Sequence, residues 1–304
     1  MAKRAKTELF AQWYGGKSLH LASQTISTGD RFFVGNAEAD NSDTVGYGSS
    51  PLAPFATLDY AIGQCTAEND DIIIVMENHA ETLAAAAAVV CDIQGVTIQG
   101  VGNGSDRPTF TFDTDVNADW DIDAANVVIR NIKFINTMDA LVAAFDVNAM
   151  YCTIEDCEFI DDGADNTLLW ISGDANADSL VVKNCLNRGT DTAGNTAFIT
   201  MAAASNYQII GLISNGDFAA ANIDMSAASV DCLIEGCRLQ NSNAVDVCIE
   251  GFAAATGWVV ENYMFIATDT ILTAINTVGA LALFQNYLVN VGGETGILVG
   301  TPSG

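Results

Sequence analysis

From residue 70 onward the chain places short runs of branched apolar residues at nearly regular intervals. With Ile74, inside the stretch DIIIV, as the anchor, equivalent positions follow at Ile98, Ile129, Ile154, Val182, Ile209, Ile234, Val260 and Phe284, 24 to 31 residues apart. Two residues before the anchors stand Ile72, Val96, Val127, Cys152, Leu180, Tyr207, Cys232, Trp258 and Ala282, so one side of each run is apolar or aromatic, the period-two pattern of a strand. Two residues after them come Met76, Gly100, Asn131, Asp156, Asn184, Gly211, Gly236, Asn262 and Asn286. Gly, Asn and Asp tolerate the left-handed backbone angles of a sharp bend, so a corner is expected there. A second apolar set follows the corner, in pairs such as Ile132 with Phe134, Cys157 with Phe159, Cys237 with Leu239 and Tyr263 with Phe265. Each repeat predicts a strand, a corner, a second strand and a polar or alanine-rich return.

A unit of this length, made of short strands with almost no helical periodicity, is what one turn of a parallel β-helix requires. The expected fold is therefore all-β, a parallel β-helix of about nine coils over residues 66–304, roughly 40 Å long at one strand spacing per coil. Residues 30–65 lead into the rod. A strand is expected at Phe32 to Val34, and Leu58, Ala61 and Ile62, after Pro54 and Thr57, have the spacing of a short helix that would cover the open end of the coils. Residues 1–29 fit the repeat nowhere.

Composition sharpens this picture. Half of the 304 residues are hydrophobic and only 16% are charged, with 26 Gly against 4 Pro, as in a compact, turn-rich solid. The formal net charge is −27, which argues against a nucleic-acid partner, because such affinity comes from Lys and Arg neutralising phosphates. No apolar run is long enough to span a membrane, so none is expected as a partner. The start MAKRAKTELFAQWYGG lacks the pattern of a secretory signal, and synthesis in a cytoplasm is expected. Within that start Lys3, Arg4, Lys6 and Lys17 stand beside a single acid, Glu8, together with Phe10, Trp13 and Tyr14. This basic and aromatic segment reads as an anchor arm, residues 1–29, that docks on another protein through Lys3, Arg4, Lys6, Phe10, Trp13, Tyr14 and Lys17.

The stretch GYGSSPLAPFATLDYAIGQCTAENDDIIIVMENHAETL, followed by VTIQGVGNGSDRPTFTF, resembles the opening module of right-handed β-helix proteins of the pectin-lyase-like superfamily. In particular it is similar to tailed-bacteriophage structural proteins with a PFATLxxAI…DxIxVxxGHxE pattern. The likeness covers about residues 30–112, and this chain has Glu77-Asn78-His79 where the pattern has Pro-Gly-His. The resemblance implies a right-handed β-helix, a homotrimer, and service as a capsid decoration protein or a tail spike on the outside of a virus particle made in a bacterial cytoplasm.

Four groups of residues are candidates for chemistry. The eight cysteines are too sparse for a disulfide-built fold. Cys157, Cys185 and Cys237 share one repeat position, Cys152 and Cys232 another, and the expectation is buried free thiols rather than a metal site. His79 with Glu81 could form an acid/base pair, yet a turn histidine more often caps backbone. Asp113, Asp115, Asn117, Asp119, Asp121 and Asp123 alternate with Phe112, Val116, Trp120 and Ile122 and open like a calcium loop, but Ala118 and Ala124 stand where its turn Gly and bidentate Glu belong, so a strand with one wet face is expected. Asp161, Asp162 and Asp165 cluster after a strand, as the paired carboxylates of a glycan hydrolase would. The leading expectation is a non-enzymatic virion protein with no catalytic residues, metal or cofactor, a trimeric capsid decoration (cement) protein that contacts the major capsid protein or other virion proteins. The alternative is a short tail spike that binds or cleaves host surface polysaccharide.

Overall fold

The computed structural model describes residues 13–14, 17–18, 29–37, 40–163, 165–190, 194–243, 247–252, 254–267, 275–277, 280–290 and 295–298. The chain winds as a right-handed parallel β-helix with three sheets running along its length. The first sheet holds ten parallel strands, from Arg31–Val34 and Ile72–Val75 to Thr256–Val260 and Ala280–Phe284. The second runs from Ala80–Leu83 to Asn286–Asn290 and ends with Thr295–Leu298, paired antiparallel. The third holds eight strands, from Val89–Cys91 and Trp120–Ile122 to Ile249–Gly251 and Ile275–Thr277. Among the described residues eight turns visit all three sheets, near the nine coils expected. The segment expected as an alanine-rich return is this third sheet, and its inward residues Trp120, Phe145, Ile171, Ile199, Ile223 and Ile249 close the core.

Backbone pairing keeps the coils in register. Ile98, Ile129, Ile154, Val182, Ile209 and Ile234 lie on one another as the anchors predict. At both ends the ladder is displaced by one residue: it continues through Ile73 rather than Ile74, and through Val259 and Leu283 rather than Val260 and Phe284. A one-residue slip exchanges the two faces of a strand. Trp258, Tyr263 and Phe265, expected inside, are therefore outside, while Val259, Met264 and Ile266 fill the core. Runs such as IIIV and WVV are apolar on both faces, and composition alone does not say which residue points in.

The corners explain the offset. Asn131, Asp156, Asn184, Gly211, Gly236, Glu261 and Gln285, each two residues after the true anchor, have positive φ between 49° and 65°. In the last two coils the bend thus falls on Glu261 and Gln285, which frees Asn262 and Asn286 to turn inward. The next residue of each corner is buried: Ile132, Cys157, Cys185, Leu212, Cys237, Asn262 and Asn286. Where that residue is polar it obeys one rule. Its side chain reaches the carbonyl of the anchor one coil earlier: Asn262 Nδ2 donates to Ile234 (3.1 Å) and Asn286 Nδ2 to Val259 (2.8 Å), while the single thiol proton of Cys185 or Cys237 is shared between Ile154 or Ile209 at 3.6 Å and the Lys183 or Glu235 carbonyl at 3.5 Å. Asn262 Nδ2 also donates to Asn286 Oδ1 at 2.9 Å, so the two amides form a short ladder.

The first half of the core is aromatic. Phe110, Phe134 and Phe159 stack along the second sheet, and Trp120 and Phe145 meet them from the third. Phe134 is fully buried, with ring centroids of Trp120, Phe145 and Phe159 at 5.5, 4.7 and 5.3 Å. The expected helix is present at Leu58–Ile62, and its Leu58, Ala61 and Ile62 are buried against the first coils. Phe134→Ala is expected to cost about 3 to 5 kcal/mol, from lost transfer energy plus the cavity left behind. The check is the free energy of denaturant unfolding, and a loss under about 1 kcal/mol would show that this stack does not carry the core.

Candidate functional site

The residues that carry the sequence pattern assemble at the start of the rod. His79 is buried; its Nδ1 accepts the Asn36 N–H at 3.2 Å, so Nε2 carries the proton and donates to Glu81 Oε2 at 3.0 Å. The same Glu81 oxygen accepts the N–H of Leu58, the first residue of the helix, at 3.0 Å. Asn78, where the pattern has Gly, adopts the left-handed angle itself, with φ 61°. Two carboxylates that sequence reasoning passed over complete this clasp. Asp71 accepts the N–H groups of Asp30 (2.6 Å) and Thr66 (2.7 Å), and Asp43 accepts those of Ala56 (2.8 Å) and Thr57 (3.1 Å). Each acceptor faces backbone donors, so His79 and Glu81 act as a structural cap, with both nitrogens of the ring already engaged. The leading Asp of DxIxV was the available signal for Asp71.

The acid cluster at 161–165 does not converge. Asp161 points into the rod, where its carboxylate accepts from Thr167 Oγ1 (2.6 Å), Asn136 Nδ2 (3.4 Å) and Asn195 Nδ2 (3.3 Å). Burial raises its pKa, and those hydrogen bonds oppose the rise. Asp162, the next residue of the chain, is exposed, and Asp165 is tied to it by a turn. Strand alternation has put the two adjacent acids on opposite sides of the wall. Arg130 and Lys133 are likewise separated by the Asn131 corner, with Arg130 paired to Glu155 at 2.6 Å on the first sheet. Arg188 pairs with Glu158 at 2.7 Å on the second.

The stretch expected as one wet-faced strand is a loop followed by Trp120–Ile122. Asp115 Oδ1 accepts from the backbone and side chain of Asn117 at 3.0 and 3.1 Å, a local turn. Among the described residues no three His, Cys, Asp or Glu side chains converge as metal ligands would. The strand does reveal a feature that sequence reasoning missed. On the outer face of the third sheet the registered positions are Asp121, Asp146, Ser172, Thr200, Asp224 and Glu250, an acidic and hydroxyl ladder. Partial burial, with the charges of Asp119, Asp123 and Asp146, pushes Asp121 up to about 6; burial and Glu250 do the same to Asp224. Asp146 is raised by burial and by Asp119, Asp174 and Asp123. The spacing of the coils, near 26 residues, is the signal that would have aligned these acids.

The opposite character appears on the last coils. The outward positions of the first and second sheets there are Trp258, Val260, Tyr263 and Phe265, then Ala282, Phe284, Tyr287 and Val289. Trp258 is 60% exposed, Tyr263 56% and Phe284 52%. Tyr263 and Tyr287 stack with centroids 5.0 Å apart and planes 12° from parallel. All eight cysteines are free, and burial pushes the Cys157 and Cys237 thiols up to about 12, so they pack as small apolar groups. Of the arm, Trp13–Tyr14 and Lys17–Ser18 pair as antiparallel strands, Trp13 opposite Ser18 and Tyr14 opposite Lys17. Lys3, Arg4, Lys6 and Phe10 lie outside the described residues.

No family model and no curated protein matches the chain. Among solved structures it is similar to a rhamnogalacturonan lyase, with a TM-score of 0.56 and 11% identity over 86% of this chain and 74% of that one. The molecule is thus a β-helix of the pectin-lyase-like fold. At this identity the likeness is one of fold alone.

The acidic ladder makes a pH prediction. A carboxyl raised from 3.8 to about 6 in the fold favours folding most when protonated. That contribution is complete below the ordinary value and is lost as pH rises through about 6. Asp121→Asn and Asp224→Asn should therefore raise the melting temperature at about pH 7.5, with the gain fading as pH falls through 6 toward 4. A gain that does not change with pH in thermal scans would contradict burial and like-charge crowding of these carboxylates as its cause.

Proposed function

We propose that the chain is a non-enzymatic structural protein of a bacteriophage particle, a homotrimeric capsid decoration (cement) protein on the exterior of the head. In this reading residues 1–29 are the attachment arm. The observation that carries it is a patch of exposed aromatic residues on the first and second sheets of the last coils, with Glu261 at the corner between them, on a chain of formal charge −27. Copies of so acidic a protein repel one another wherever carboxylates meet. The patch around Trp258, Tyr263 and Tyr287 is a place where they can approach, and Trp and Tyr are the residues that dominate interface energetics. Its mechanism is mechanical. A shell bound by a rigid partner is stabilised by mass action, as any folded state is by a ligand specific to it.

A second reading, a short tail spike that binds or cleaves host surface polysaccharide, is favoured by the fold shared with a rhamnogalacturonan lyase and by the exposed aromatic rings. It would place a substrate on the outer wall of the rod rather than at Asp161, which faces inward.

Light scattering of the purified chain should give three times its 31.9 kDa mass, and Trp258→Glu combined with Tyr263→Glu should yield monomers with unchanged circular dichroism. A monomeric parent would contradict the assembly reading. A chain lacking residues 1–20 should remain trimeric yet fail to bind particles devoid of this protein, and retained binding would remove the arm from the proposal. Release of oligosaccharide from host envelope polysaccharide by the purified chain would instead establish the spike.

A further inference from the structure

The inner ladder of the second sheet runs Phe110, Phe134, Phe159, Asn187, Ser214, Leu239, Met264 and Leu288. Two polar residues thus interrupt an apolar stack, and both are buried. Asn222, also buried, reaches them from the third sheet. Asn187 Nδ2 donates to Ser214 Oγ at 3.1 Å and to the Asn215 carbonyl at 3.3 Å. The two protons of Asn222 Nδ2 serve three acceptors, the Gln240 carbonyl at 3.0 Å, the same Ser214 Oγ at 3.0 Å and, as the longer branch of a shared bond, the Ser214 carbonyl at 3.3 Å.

These contacts fix which way the amides face. Rotating Asn187 would set its Oδ1 against the Asn215 carbonyl, and rotating Asn222 would set its Oδ1 against the Gln240 carbonyl. Both would exchange a hydrogen bond for acceptor facing acceptor. With the amides so oriented, Asn187 Oδ1 and Asn222 Oδ1 are buried and have no protein donor. Ser214 has given both lone pairs to amide donors, which leaves its O–H proton to place. Both amides hydrogen-bond Ser214 Oγ through Nδ2, so the unmet acceptors Asn187 Oδ1 and Asn222 Oδ1 each belong to a group in contact with it, and its own O–H is the donor still to be placed. Buried groups of this kind are almost always satisfied, and where protein does not do so ordered water does.

We infer that the rod binds one water molecule in its interior, between the coils of Asn187 and Ser214. The water accepts the Ser214 O–H and donates one proton to Asn187 Oδ1 and the other to Asn222 Oδ1, so that every donor and acceptor in the cluster is paired. The ligand fits by this balance of protons, two given and one received. A monovalent cation supplies no protons and would leave the Ser214 O–H facing a positive charge. The hydrated cluster also marks one position along a repetitive core. Slipping the stack by one coil would set Asn187 on Ser214's apolar neighbour Leu239, or Ser214 on Phe159, and strand a polar group without partners.

A crystal structure of the full chain at about 1.5 Å tests this. The expected result is one spherical peak within hydrogen-bonding distance, about 2.7 to 3.2 Å, of Asn187 Oδ1, Asn222 Oδ1 and Ser214 Oγ. An empty map there, or amides refined in the opposite orientation, would overturn the inference. So would an anomalous peak at that point in crystals grown with rubidium, which would assign a cation. In solution, oxygen-17 relaxation dispersion should count one fewer long-lived water in Ser214→Ala than in the parent. An equal count in a folded variant would also overturn it.

Discussion

The hydrogen bond between a strand and its counterpart one coil later sets the terms for every side chain in this rod. Parallel in-register pairing puts each residue directly against its equivalent, about 4.8 Å away. Like therefore stacks on like, both inside and outside the wall. Inside, this favours ladders of isoleucine and phenylalanine, which gain from contact with their own kind. Outside, the same geometry lines up Asp121 with Asp146 and Asp224 with Glu250, and partial burial, with these like charges added, makes Asp121 and Asp224 hold their protons more tightly.

The corners show how the backbone constraint is met with different chemistry. Seven successive turns use left-handed residues, and the side chain that follows either fills space, as Ile132 and Leu212 do, or donates to the anchor carbonyl of the preceding coil. Cysteine and asparagine are interchangeable in that second role because both are small and carry a donor at the right reach. That accounts for the recurrence of thiols at one repeat position. At the start of the rod the problem is different, since the first coil has no predecessor. There the donors are met by side chains, Asp43, Asp71, Glu81 and His79, which hold the short helix and the leading loop over the open end.

The repeat was legible in the sequence wherever one face of a strand was plainly polar. From Ile98 to Ile234 the alternation is clean, and the anchors coincide with the paired residues. At IIIV and WVV both faces are apolar, so only the corner could decide the register, and there Glu261 and Gln285 took a conformation more typical of the Asn beside them. The third sheet was hidden because its strands are embedded in acid-rich or alanine-rich segments. The clasp around His79 could be recognised as a motif, but its function as a cap depends on Asp43 and Asn36, distant in sequence. The acid ladder and the buried polar cluster were invisible for the same reason: each is assembled from residues one coil apart.

A rod with an acidic ladder on its third sheet and exposed aromatic rings on the last coils of the first and second has the surface of an assembling part, and that surface exists only if the coils remain in register along the whole length. Spin labels at Asp121→Cys and Glu250→Cys, measured by double electron-electron resonance, test this directly, since five registered strand pairings separate the two positions on the third sheet. In-register stacking predicts a single narrow distance of roughly 24 Å, five strand spacings. A distance displaced by a coil or more, or a broad distribution spanning several coils, would contradict the account.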